Sequence, residues 1–526
     1  MANGGSATKH GRFWGEATAF LALFLDNAGV LIFLNAILVF TFNYPVDIIL
    51  TRMIPGTAIG VLLGDLVYTW LAVRLARKTG RRDVTAMPLG LDTPSTIGIA
   101  YAVLGPTFVA TRDAILTWHV GMATLFMIGL VKVVTAFFGS WIQRNIPTAG
   151  LLGSIAGIGL LLLGFLPLME IFNEALAGMV ALGLIFAALF SRLQLPGRIH
   201  GIVAALVFGT LIHFALGMTG HLPEYQPPSW DLSLCLPVFS IGYLQSLPQS
   251  IHYLPIAIPF GILAIVGGIN NTESARLAGD RYQTRDILLT EAVTSLLSAF
   301  FGGVAQTTPY IGHPAYKKMG ATWRYTLVTG LAVGLCAMVG LMSLFVALIP
   351  RAVIAPIFIF VGFEIVHQAY RESPPAHSPA VSLSFLPVIA GLLMIVLGQF
   401  LGALNILPDR LPPRLQQLHQ TLTMLSNGFI LTGLLWGSML AFLIDHRARL
   451  AALCAAVCGA LTLGGVIHSV LPTGELYLPW RAPGTAHYSL AAAYFLLAGI
   501  LLLLTGKKDP EEQGPKGGGA DPRQTL

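Results

Sequence analysis

The chain has 526 residues, 55% hydrophobic and 10% charged, with a mean hydropathy of +0.75 and a formal net charge of +6. Soluble domains carry about 25% charged residues, so a water-soluble fold is excluded. Recurrent apolar runs of about 20 residues indicate an all-α polytopic membrane protein, and the short alternating segments of a β-barrel are missing from the sequence.

Residues 1–17 read as a cytoplasmic N-terminal tail. Seven spans are expected within 18–217, near 18–42, 46–73, 84–107, 111–137, 147–167, 172–191 and 199–217. The first is too long, and too polar at Asp26-Asn27, to be a cleaved signal. An extracytoplasmic loop, 218–251, leads to seven more spans within 252–446, near 252–275, 286–302, 305–320, 324–349, 352–370, 383–403 and 424–444. Two accessory spans, near 449–471 and 487–505, occupy 447–505, and the polar Gly/Pro-rich segment 506–526 reads as a disordered cytoplasmic tail.

With the N-terminus inside, most Lys and Arg fall on the cytoplasmic side. The run Arg74 to Arg82 (RLARKTGRR) is then cytoplasmic, while the outside stretch 218–250 has no Lys or Arg. This is the positive-inside asymmetry, so the net charge is a topological signature and no nucleic-acid partner is implied. The expected location is a bacterial inner membrane with both termini cytoplasmic. The aromatic residues Tyr225, Trp230, Phe239 and Tyr243 of the outside loop are candidates for a partner or homodimer contact.

Two spans are interrupted. Span three (DVTAMPLGLDTPSTIGIAYAVLGP) holds Pro88, Gly90 and Pro94 in its first half, and span ten (GGVAQTTPYIGHPAYKKMGA) holds Pro309, Gly312 and Pro314. An interior Pro costs a helix about 3 kcal/mol and biases its predecessor toward extended backbone. Residues 84–93 and 305–313 are therefore expected to be extended, each followed by a short helix. Extended backbone at membrane depth is tolerated only when buried in protein or lining a cavity. Spans seven apart enter from opposite sides, so the pattern predicts a seven-plus-seven inverted repeat whose extended pieces meet near the midplane.

Polar residues gather on spans one, three, eight and ten. Span one carries Asp26, Asn27 and Asn35. In span eight, Leu254 to Ile269 is uncharged, and Asn270, Asn271, Thr272 and Glu273 then arrive together. An intramembrane acid is read first as functional, so Glu273 and its face-mate Asn270 are expected to line a cavity. A helical salt bridge from Glu273 to Arg276 is the alternative. Asp92 and Thr93 stand where the span-three helix starts, and Asp92 suits either a helix cap or a substrate contact. Thr308, Tyr310 and His313 offer hydroxyls and an imidazole in span ten, or satisfy the broken backbone locally. Asp65 and Lys132 are expected to pair with each other.

The block Asn270 to Ala321, with Thr272-Glu273-Ser274, Gly279-Asp280 and a broken span ten, resembles that of xanthine/uracil permeases. Residues 383–403 and 424–444 also resemble the last core spans of hypoxanthine/guanine permeases. The resemblance covers roughly residues 18–446. It implies a core domain of spans one to four and eight to eleven, a gate domain of the other six, and a nucleobase bound between the extended segments. It further implies that Glu273 contacts the base and takes part in proton coupling; Asp92 joins the expected substrate-binding and proton-coupling residues from its position alone, not from the resemblance. The Gly153–Gly157 run (GSIAG) would serve close helix packing in the gate. The sequence departs from the pattern in lacking a second acid on span ten and in carrying Asp92 on span three.

The function expected is thus proton-coupled uptake of a purine or pyrimidine nucleobase, with a proton, or sodium in its place, as coupling ion and no other cofactor. An anion transporter of the sulfate type on the same fold and a non-transporting membrane sensor or scaffold are the alternatives. No zinc-protease, nucleotide-binding or nucleophile motif is present in the sequence, so an enzyme is not expected.

Overall fold

Two three-residue strands pair antiparallel at the centre of the molecule: β1, Leu89–Leu91, and β2, Thr307–Pro309, with Leu89 opposite Pro309, Gly90 opposite Thr308 and Leu91 opposite Thr307. The computed structural model that shows this describes residues 9–191, 193, 201–222, 225, 234–310, 312–404 and 406–504. Trp230 and the 506–526 tail lie outside them. The ladder is extended at both ends, where the Asp92 N–H donates to the Gln306 carbonyl (3.0 Å) and the Tyr310 N–H donates to the Pro88 carbonyl (2.9 Å). Extended backbone at membrane depth thus finds its hydrogen bonds in the other extended segment. Each strand runs into a short helix, Thr93–Ile99 after β1 and His313–Lys318 after β2, each with a proline in its first turn, where a missing N–H costs nothing.

Helical segments stand at all sixteen places where spans were expected among the described residues. Nine are long and apolar enough to cross a bilayer by themselves, and Pro413–Ser426 with Phe429–Ile444 forms a tenth, bent by 70°. Ala175–Phe190, Arg324–Met338 and Ala448–Leu463 are shorter apolar helices. Span one starts earlier than expected, its helix beginning at Lys9.

Packing divides the helices as an inverted repeat requires. Spans one, two, four, eight, nine and eleven pack around the strand pair, whereas spans five, six, seven, twelve, thirteen and fourteen pack mainly on one another. Small residues set the close approaches in the second group: a Cβ at Gly153 would stand 2.8 Å from Ser384 Oγ, and one at Gly157 would stand 2.7 Å from a Val388 methyl. The last two spans, Ala448–Leu463 and Ala486–Leu504, pack against each other and onto span fourteen. The largest apolar core surrounds the strands and includes Leu89, Leu91, Phe260, Val304 and Trp118, all nearly fully buried.

Candidate functional site

Spans one and eight each hold one strand with an asparagine. Asn27 Oδ1 accepts from the Leu91 N–H of β1 (3.0 Å), and Asn271 Nδ2 donates to the Pro309 carbonyl of β2 (2.5 Å). Both side chains are buried. A buried amide that closes a broken backbone replaces the water that backbone would otherwise need, so the two asparagines fix the strands by matching devices on inverted partners.

At one end of the ladder, Asp92 caps the helix Thr93–Ile99 by accepting from the Ser95 N–H (3.1 Å). Gln306, fully buried, donates through Nε2 to Asp92 Oδ2 (3.1 Å) and Ser95 Oγ (2.9 Å), while its Oε1 has no partner among the described residues. Asp92 is half-buried. At the other end the Tyr310 ring crosses over Gly90, where a Cβ would come within 2.2 Å of it, and the Tyr310 hydroxyl donates to the Leu91 carbonyl (2.8 Å). Asp26 lies within reach of that hydroxyl yet remains exposed. One turn on, at Gly29, a Cβ would meet nothing within 4 Å, and the same is true of Gly267, one turn before the exposed Asn270. Open space thus runs beside the polar faces of spans one and eight.

Of the residues expected at the site, Asp92, Thr93, Thr308 and Tyr310 come together at the strand junction, with Thr93 and Thr308 almost buried. Asp92 is indeed a cap, and its second oxygen is engaged by Gln306. Asn270 lies on the open face of span eight, outside the ladder.

Glu273 is elsewhere. The helix Leu254–Leu277 continues through the polar patch, so Glu273 stands in its last turns, half exposed, with both carboxylate oxygens held by Arg276. The i, i+3 alternative describes it: the long Arg276 side chain folds back along its own helix onto Glu273.

His313 is fully buried, 3.1 Å from the Thr85 carbonyl and 3.4 Å from Asp280. Asp280, the acid of the Gly279-Asp280 pair, is the centre of a clasp: it accepts from the Thr85 N–H (3.0 Å) and Lys317 Nζ (2.6 Å) and lies 3.2 Å from Arg81. Burial alone raises a carboxyl, but His313, Lys317 and the Thr85 N–H together hold Asp280 below the usual carboxylate range. The clasp ties the loop after span eight to the approach to β1 and to the helix after β2.

The expected Asp65–Lys132 pair does not form. Lys132 Nζ lies 3.3 Å from Glu291 Oε2 of span nine and donates to the Thr307 carbonyl (2.7 Å), all within the buried interior. Asp65 faces the backbone of Leu89 instead. Glu291 and Gln306 were missed from the sequence. A signal for Glu291 existed, since it and Lys132 are the lone opposite charges in the middle of spans nine and four.

Among the described residues no group of His, Cys, Asp and Glu is arranged to hold a metal ion. No protein-family model matches the chain, and no characterised protein matches it in sequence. Many solved structures are similar, the following three among them. The transmembrane domain of the cyanobacterium bicarbonate transporter BicA is 17% identical over 75% of this chain and 97% of that chain, with a TM-score of 0.49. SLC26A9 is 13% identical over 73% and 65% (TM-score 0.49), and the murine Slc26a9 anion transporter in the inward-facing state is 13% identical over 74% and 68% (TM-score 0.48). At such distances the cargoes of those proteins do not transfer to this chain.

Proposed function

We propose that the protein is a secondary transporter that carries a small polar solute at the β1–β2 junction as the strand-bearing spans move against the other six. The observation that carries this reading is the acceptor-rich junction: the unpartnered Gln306 Oε1 beside Asp92, with Asp26 on the open face of span one. Such a set favours a solute that donates hydrogen bonds, and a buried acceptor left unpaired is costly until something donates to it. The N-terminus of the Thr93–Ile99 helix is already satisfied by a carboxylate, which removes the dipole an anion would otherwise use. A nucleobase, with ring N–H groups and carbonyls, is the solute class that fits, taken up with a proton.

Anion transport is the second reading. Lys132 supports it, because its ammonium reaches the backbone of β2 at Thr307. So does a cytoplasmic cavity of about 400 Å³ lined by Ser274, Pro314, Lys317 and Lys318.

The experiment that separates them is uptake into proteoliposomes of labelled xanthine, hypoxanthine, guanine, adenine and uracil, and of bicarbonate, sulfate and chloride, with and without a protonophore. Protonophore-sensitive uptake of a base supports the first reading. Uptake of an anion with no base carried replaces it with the second, and no flux of either from folded protein removes both cargoes.

A further inference from the structure

Behind β2 lies a polar cluster that solute binding does not use. Lys132 and Glu291 are fully buried, with Nζ to Oε2 at 3.3 Å. Lys132 has two other acceptors, the Thr307 carbonyl at 2.7 Å and Ser295 Oγ at 3.3 Å. Glu291 is less well served: neither oxygen has a hydrogen bond of good geometry among the described residues, and the Thr308 hydroxyl is what faces it from β2. Span eight comes so close that a Cβ at Gly268 would stand 2.8 Å from Glu291 Oε1.

A carboxyl that takes and releases a proton needs a nearby cation to sustain its charged form and burial away from water to favour its neutral form. Glu291 has both. Lys132 keeps the Thr307 carbonyl and Ser295 when the acid is neutral, so losing the charge of Glu291 does not strand it. The other ionisable groups around Glu291 are Tyr68 and Asp65 on span two and Asp92 before the Thr93–Ile99 helix; Gly268 of span eight brings none. Tyr68 is engaged with the Ile287 carbonyl (3.1 Å). Asp65 is equally buried but has no cation beside it among the described residues.

We propose that Glu291, paired with Lys132, is the group that takes up the coupling proton, and that Thr308 transmits its charge state to the solute at the β1–β2 junction. This rests on the proton-coupled reading above. Protonation forms one O–H bond on Glu291; the proton comes from water on one side of the membrane and returns to water on the other, and no other bond is made or broken. The neutral carboxyl donates to Thr308 Oγ, and the Thr308 hydroxyl hydrogen is then turned toward the junction. The charged carboxylate accepts from Thr308 and reverses that orientation.

The test is an infrared pH titration of the reconstituted full chain, which needs no known cargo, together with the uptake panel. A protonated-carboxyl stretch should appear as pH falls, persist in Asp65→Asn and Glu273→Gln, and vanish in Glu291→Gln. For a base that the wild type carries, Glu291→Gln should keep exchange at equal pH and lose at least tenfold of the uptake driven by a pH gradient. Should Glu291→Gln fail to fold, Glu291→Gln with Lys132→Met removes both charges and is read instead. A band unchanged in these variants, or gradient-driven uptake retained in them, overturns the proposal and leaves a structural ion pair. If the wild type carries no base, the transport reading fails, and the infrared titration alone decides whether Glu291 titrates.

Discussion

At the scale of single residues, burial and partners separate acids that look alike in sequence. Glu273 and Asp280 lie seven residues apart, the first half exposed and the second fully buried. Glu273→Gln is expected to leave both uptake and thermal stability as in the wild type, because exposed i, i+3 pairs contribute little; a loss of uptake in folded protein would return Glu273 to the site. Asp280→Asn strips Lys317 and Arg81 of a buried partner and is expected to cost about 3 kcal/mol, read from thermal unfolding in detergent. The pH dependence follows from the direction of the shift. Asp280 is held below its ordinary value of 3.8 in the folded protein, so its stabilisation is complete above that value and is lost as pH falls below it. The wild type should therefore lose stability on acidification below about pH 4, and Asp280→Asn should lack that component.

At the scale of elements, the strand pair depends on a residue without a side chain. Gly90 lies beneath the Tyr310 ring, and a methyl there would press on that ring and draw its hydroxyl away from the Leu91 carbonyl. Gly90→Ala is expected to abolish uptake, and Tyr310→Ala in the same chain should recover folded yield without recovering uptake. Recovery of uptake in the double variant would show that Tyr310 serves only to cover the strands. The broken spans were legible because Pro88 with Pro94, and Pro309 with Pro314, stand close together with a glycine between them, which disfavours continuous helix more than the single interior prolines Pro259 and Pro356 do. The odd spacing of the spans gave their opposite directions. Side-chain aim was not legible to the same degree. Glu273 shares a helix face with both Asn270 and Arg276, and periodicity cannot say which of the two it serves. Glu291 was legible as a charge inside span nine, but its partner was not: in TRDILLTEAVTSLLSAF nothing points to span four, and only the fold brings Lys132 against it.

At the scale of the whole molecule, the transport proposed above would require the two groups of spans to move against each other, and their contact can be tested directly. Phe33 of span one stacks on Phe358 of span twelve. Both rings are almost fully buried, and Phe33 also lines a cavity of about 230 Å³ shared with Tyr101, Glu170, Arg351 and Gln399. Phe33 lies two helical turns from Asp26, so the stacked rings stand between that cavity and the open face of span one. If the spans slide as groups, the rings must part in each cycle. In a chain whose four native cysteines are replaced, Phe33→Cys with Phe358→Cys is expected to stop uptake when oxidised and to regain it on reduction, while either single variant transports regardless of redox state. Full uptake by the oxidised double variant, with the cross-link verified by mass, would mean that spans one and twelve move together. The boundary between moving and static parts would then lie elsewhere than packing places it.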